Sequence, residues 1–307
     1  MVDPCTGEIL ICRDGGTTII SGTEVVSVLP NYCVMDVDPQ TGRRFATFGR
    51  EVAVFVGNQA VLNIALPYTV VALRYNPRNG LLYVVTSKSG YPPSRELTVI
   101  QGNTVVYTTS LGAYGGHPEV HPDSGLMYVP DGGLVRVLSG TQLLASLPVS
   151  SPVLGVVYHP FLHLVYAWGG SGDGEVAVIN GTGVQARIPI TAPIMVAPDP
   201  NRDYAYVSDE YGQITVISPT GVIRVLQVSS FPSRNPIDVV PGSGEIVVGV
   251  VPSKEVRIFP PQLTDPAVIS TQVPPFAVRA HPSGRIYVVE RDSSYPAPDP
   301  QTGLLVL

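Results

Sequence analysis

One phrase is written again and again along this chain. It consists of an extended run, a polar residue, a proline, a turn that usually carries glycine, and then an apolar strand, most often with an aromatic near its centre. It reads "VDPCTGEILI", "VDPQTGRRFATF", "YNPRNGLLYVV", "VHPDSGLMYVP", "YHPFLHLVYAW", "PDPNRDYAYVS", "VVPGSGEIVVG" and "AHPSGRIYVVE". The turn prolines are Pro4, Pro39, Pro77, Pro122, Pro160, Pro200, Pro241 and Pro282, spaced by 35, 38, 45, 38, 40, 41 and 41 residues. A unit of this length cannot bury its own apolar surface, so its copies must stack. The spacing therefore confines the chain to a repeat architecture before any other property is considered.

Each period reads as four strands. In residues 68–112 they are "VVALRY", "LLYVVTS", "ELTVI" and "TVVYTTS". Val, Ile, Tyr and Thr dominate, as suits a pleated, half-buried surface. Proline supplies a fixed backbone angle for the turn between the first two strands, and glycine a positive one. No stretch carries a sustained helical period. Four-stranded units of this length are the blades of a β-propeller, and the expectation is one all-β propeller domain over residues 1–307. The strand tally is seven first, eight second, eight third and seven fourth strands. Eight blades give every strand a slot, with two incomplete blades meeting at a closure seam. The alternative is seven blades, with "IYVVE" and "LLVL" left as a spare hairpin. Open edges at the seam could also recruit a second copy of the chain.

The strands "LLYVVTS", "LMYVPD", "AYVSDE" and "IYVVE", each after a turn that usually carries Asn, His or Asp before proline, resemble the YVTN-type β-propeller repeat over essentially the whole chain. The tetrapeptide itself never appears intact, and Val247 stands where other units carry an aromatic. The resemblance implies a fold and structural repeat residues. It transfers no catalytic residue.

Composition limits the function. Apolar residues make up 44% and charged residues 14%, too apolar for disorder. A net charge of -6 gives no electrostatic reason to expect nucleic acid or an anionic membrane as partner. No apolar run is long enough to span a bilayer. "MVDPCTGEIL" has neither a basic nor an apolar leader region, which points to the cytoplasm unless the chain is a truncated extracellular one. Only Lys88 and Lys254 are lysine, a bias expected from codon usage or a thermophilic source. Cys5, Cys12 and Cys33 lack metal-ligand spacing; Cys12 and Cys33 fall in strands and are expected as small buried hydrophobes, with one disulfide among the three as the alternative.

Little of the apparent chemistry survives scrutiny. His121, His159 and His281 share the position before the turn proline with Asp38, Asn76 and Asp199, residue types that bond local backbone. His117 and His163 are off-pattern but have no ligand partners at metal spacing. "SGDGE" at 171–175 lacks the acids of a calcium loop, and Asn180 heads a glycosylation sequon. No metal and no cofactor is expected. Two constellations remain. Three residues before the turn prolines stand Asp36, Arg74, Glu119, Val157, Ala197, Asp238 and Arg279, so five charges share one level of the channel strands. The loops leading from second to third and from fourth to first strands carry Tyr32, Tyr68, Tyr91, Tyr114, Tyr211, Phe231, Phe276 and Tyr295, with Arg95, Arg234 and Arg291 among them.

The leading expectation is a non-enzymatic interaction scaffold that binds a protein or glycan through this aromatic loop face. The alternative is a hydrolase or lyase at the top of the channel, using Asp36, Glu119 or Asp238 with arginines holding an anion. The absence of a recognisable nucleophile, base and orienter set favours the first.

Overall fold

The runs of Val, Ile, Leu, Tyr and Thr between the turns form antiparallel strands, 30 of them among the described residues, and no helix occurs there. The computed structural model describes residues 1–13, 16–88, 94–113, 116–150, 152–170, 172–230, 234–291 and 302–307. The strands make eight successive sheets, six of four strands and two of three, each ordered as the chain runs. The fold is an all-β propeller of eight blades. The three-stranded sheets are the first, Ile9–Arg13 to Glu24–Pro30, and the last, Pro275–Ala280 to Thr302–Val306. One lacks a first strand and the other a fourth, as the sequence tally requires. Val2 makes a lone bridge to Ile9 where the missing strand would begin. The seven-blade alternative fails because Ile286–Arg291 pairs with a first strand of its own, Pro275–Ala280, and Thr302–Val306 pairs in turn with Ile286–Arg291.

The chain divides into two compact units, Met1–Val156 and Val157–Leu307. Within each unit, apolar clusters form between consecutive sheets. In the first unit, Tyr83, Val85 and Leu97 of the third sheet pack on Met127, Val129 and Leu138 of the fourth. In the second, Tyr206, Ile214 and Val216 pack on Ile246, Val248 and Phe259. The second strands are buried on both faces, as in Met127–Asp131, Ala205–Asp209 and Ile246–Val250. Fourth strands are the opposite: Glu24–Pro30, Gln59–Ala65 and Gln142–Pro148 share one largely exposed pattern. In six of the seven pairings between third and fourth strands the register slips by one residue at the same place, leaving Val26, Val61, Val106, Leu144, Gln185 and Ile223 as the extra, bulged residues.

The repeat tyrosines are core. Tyr83, Tyr128 and Tyr166 are 0% exposed, Tyr206 1% and Tyr287 3%. They differ in how their hydroxyls are satisfied. Tyr83 donates to the Gly140 carbonyl of the next sheet at 2.9 Å, whereas the Tyr166 hydroxyl is buried without a partner.

The cysteines correct the sequence reading. Cys12 and Cys33 are joined in a disulfide, and Cys12 is exposed rather than buried. The strands Ile9–Arg13 and Cys33–Val37 of consecutive sheets run side by side and bring the two Cα atoms to 5.0 Å. Strand alternation within one sheet cannot reveal that proximity. Cys5 is free and exposed.

Truncating a repeat tyrosine, as in Tyr83→Ala, should cost about 3–5 kcal/mol in urea denaturation. The hydroxyls should separate: Tyr83→Phe loses roughly 1 kcal/mol, and Tyr166→Phe is neutral or stabilising because a buried orphan is removed. Reducing the Cys12–Cys33 bond, which spans 21 residues of sequence, should lower stability by about 3 kcal/mol. Alkylation of the native, unreduced protein should then modify Cys5 alone.

Candidate functional site

In each unit the first strands of consecutive sheets lie beside one another. This placement brings the equivalent charges together. Arg74, in Thr69–Asn76, reaches back to Asp36 at 3.4 Å and forward to Glu119 at 2.6 Å. In the second unit Arg279 stands 3.7 Å from Asp238. The acids also have a second task. Asp36 accepts the N–H of its neighbour Val37 at 3.0 Å and that of Tyr75, in the next sheet, at 2.7 Å. Asp238 repeats the arrangement with Val239 and with Ala280 of the next sheet, both at 3.0 Å. Each carboxylate is therefore a brace between two blades, satisfying a backbone donor that a first strand, at the edge of its sheet, leaves unpaired.

Burial raises the pKa of Asp36 and of Glu119, opposed by the charge of Arg74. Arg74 is itself held protonated, chiefly by the Glu119 carboxylate. Its Nε is buried without a hydrogen-bond partner.

The residues before the turn prolines do what the sequence reading expects. Asp38 accepts the N–H of Gln40, Asn76 that of Arg78, Asp199 that of Asn201, and His281 that of Ser283, at 2.9–3.1 Å. Some also tie one turn to the next: Asn76 donates to the Gly125 carbonyl at 2.7 Å, and His159 Nε2 lies 2.9 Å from the Tyr204 carbonyl. Of the "SGDGE" stretch, Ser171 lies outside the described residues, Gly172 and Asp173 are exposed, and Gly174 is buried. A side chain at Gly174 would meet Pro193 at 2.4 Å, and Glu175 pairs with Arg187. Among the described residues, no group of three or more His, Cys, Asp or Glu is placed to hold a metal ion. No helix there is long and apolar enough to cross a membrane.

The loop residues separate into kinds. Tyr32 is half-buried and sits edge-on to Phe48 and Phe55 at 6.0 and 5.3 Å, capping the second sheet. Tyr68 is also half-buried, with the Lys88 ammonium 4.8 Å from its ring centre. Tyr211 and Phe276 are 50% and 60% exposed. Both lie at the same end of their sheets, because Pro193 pairs with Asp209 and Pro275 with Glu290. Arg234 is exposed, 3.8 Å from Glu210. Tyr91, Tyr114, Phe231, Tyr295 and the side chain of Arg291 lie outside the described residues.

Arg95 is not on a loop as the sequence reading expects: it lies in the strand Ser94–Gln101, opposite Ser87 and Leu111. In the first unit it lines a cavity of about 310 Å³ together with Val71, Ala72, Gly116, His117, Val153 and Leu154. His117, unassigned by the sequence, is thus brought near Arg95 and Arg74. The ring is exposed, yet the protein around it and then the two guanidiniums push its pKa down. The one signal available in sequence was that His117 falls outside the repeat.

No family model and no curated protein matches the chain. Solved structures do resemble it. Hydrazine synthase from Kuenenia stuttgartiensis aligns with a TM-score of 0.60 and 17% identity, covering 94% of this chain and 98% of the other. BBS1N, solved in complex with ARL6DN, aligns at 0.57 and 15%, covering 86% and 89%. The WD40 β-propeller domain of Doa1 aligns at 0.53 and 15%, covering 80% and 85%. The chain shares the propeller fold of these proteins. At such identities the likeness shows the fold alone.

The two braces should differ in weight. Asp36→Ala strands the Tyr75 N–H and removes one counter-charge from a largely buried network, and should cost roughly 3–5 kcal/mol. Asp238→Ala acts on a more exposed pair and should cost about 1–2 kcal/mol. Urea denaturation of the two single variants checks the ranking.

Proposed function

We propose that this protein is a non-enzymatic binding propeller that engages a protein partner through the loop ends of its sheets. The repeat is of the YVTN type in this reading. The observation that carries the proposal is the contrast between the two constellations. The channel acids Asp36 and Asp238 have their carboxylate oxygens committed to backbone N–H groups and arginines, which leaves them poorly placed to act as base or nucleophile. Tyr211 and Phe276, in contrast, offer exposed ring area at one end of their sheets. Large, stiff aromatic side chains with exposed rings are the usual anchors of a protein interface. The similarity to BBS1N, a propeller solved in complex with another protein, supports a protein rather than a glycan partner.

Photo-crosslinking residues placed at 211 and 276 test this, with position 161 as control. Phe161 is 52% exposed but lies in the turn between first and second strands, at the other end of its sheet. The same protein should be captured from 211 and 276 in extracts of the native host, and not from 161. A Tyr211→Ala/Phe276→Ala variant should lose that capture with an unchanged melting temperature. Equal capture from 161, or retained capture by the double variant, refutes the assignment.

A further inference from the structure

The cavity beside Arg95 is lined by both apolar and polar residues. Its apolar lining is Val71, Ala72, Val153 and Leu154, of which Ala72 and Val153 are almost fully buried. Among the described residues its charged or ionisable groups are Arg95 and His117. Among the described residues Arg95 makes no ion pair, and its Nε is buried with no hydrogen-bond partner. Burial pushes its pKa down, and no group among the described residues opposes the shift. An arginine held in this way leaves an unused planar fork and an uncompensated charge. Gly116 lets the loop before Glu119 press against the first strand of the next sheet. A side chain there would stand 2.8 Å from the Leu154 carbonyl.

We propose that this cavity binds a small aliphatic carboxylate, with the Arg95 guanidinium taking the carboxylate and the accessible Val71 and Leu154 side chains taking the hydrocarbon. The chemistry selects this class. An arginine fork matches a carboxylate in plane and charge. Among the described residues of the lining, one arginine neutralises a monoanion, whereas a phosphate dianion would be left with excess negative charge. A cavity of about 310 Å³ lies at the small end of ligand sites. His117, also on the lining, carries a ring N–H that can supply a second hydrogen bond. The ligand can be a free acid or the terminal carboxylate of a peptide, since both present the same group. This inference does not rest on the partner-binding reading, and the cavity lies in the other unit from Tyr211 and Phe276.

NMR titration of the full chain with ¹³C-isobutyrate in low-chloride buffer tests it, against isobutyramide as the neutral isostere. Saturable isobutyrate binding is expected, with the amide at least about tenfold weaker, or 1.4 kcal/mol. Arg95→Gln should weaken isobutyrate by about tenfold or more. Leu154→Trp, a change at a half-exposed wall that leaves the core intact, should block entry, so a misfolded Arg95 variant would not leave the question open. Arg234→Gln, outside the cavity, should bind as the unmodified chain does. Acetyl-Ala-Ala-Val with a free or amidated terminus separates the two sources: binding of the free-ended peptide assigns a chain terminus, and binding of isobutyrate alone assigns a free acid. Equal binding of acid and amide, no saturable binding of either carboxylate, or full binding by both the Arg95 and Leu154 variants overturns the proposal.

Discussion

Burial of the second strands on both faces is the constraint from which the architecture follows. A strand such as Met127–Asp131 has no solvent side, so its sheet must have another sheet against each face. One blade alone would expose half its apolar area, and the entropy of ordering some forty residues would not be offset. Stacking consecutive blades solves this within each unit, and the tyrosine at the centre of the second strand fills the space between them. Its size makes the packing specific, because a bulky ring tolerates neither a gap nor a shift of register.

Stacking leaves a polar difficulty at the first strands. They are edge strands, from the two residues of Glu119–Val120 to the eight of Thr69–Asn76, and adjacent ones belong to different sheets. Their outward N–H groups have no ladder partner. The aspartates at 36 and 238 meet that need with a side chain in place of a strand, and the following arginine neutralises the carboxylate. The charges that look like chemistry in a sequence are here largely the polar counterpart of packing. What falls outside the scheme is therefore more informative than what obeys it. Arg95 and His117 obey no repeat rule, and they border the cavity to which a ligand is assigned.

The fold was legible because every level of the sequence agrees: turn chemistry, strand length and spacing repeat together. The tally of seven, eight, eight and seven strands settled the blade number once the terminal hairpin found its own first strand. The role of His121, His159 and His281 was legible too, since Asp and Asn alternate with them at one position. The disulfide was not, because it joins neighbouring sheets and depends on how those sheets approach. Nor was the cavity. Val71, Arg95, His117 and Val153 come from separate elements, and only their convergence distinguishes Arg95 from Arg234. Glu119 was singled out correctly as a charge, but its service to Arg74 could not be read from a single repeat.

The slipped register of the fourth strands has a further bearing on how this molecule meets others. An outermost strand is a row of open donors and acceptors, a ready template for a foreign chain. Here that row is broken in six sheets by one extra residue, so a straight incoming strand would fall out of step after two or three pairs. The seventh, Ala267–Ser270, keeps its register but is only 4 residues long. The outward valines and leucines at these positions thus sit on edges that repel growth by backbone pairing. The eighth sheet is the exception: its outermost strand, Thr302–Val306, pairs with Ile286–Arg291 in unbroken register, so the geometric bar to strand addition holds for the other seven sheets and not for this edge.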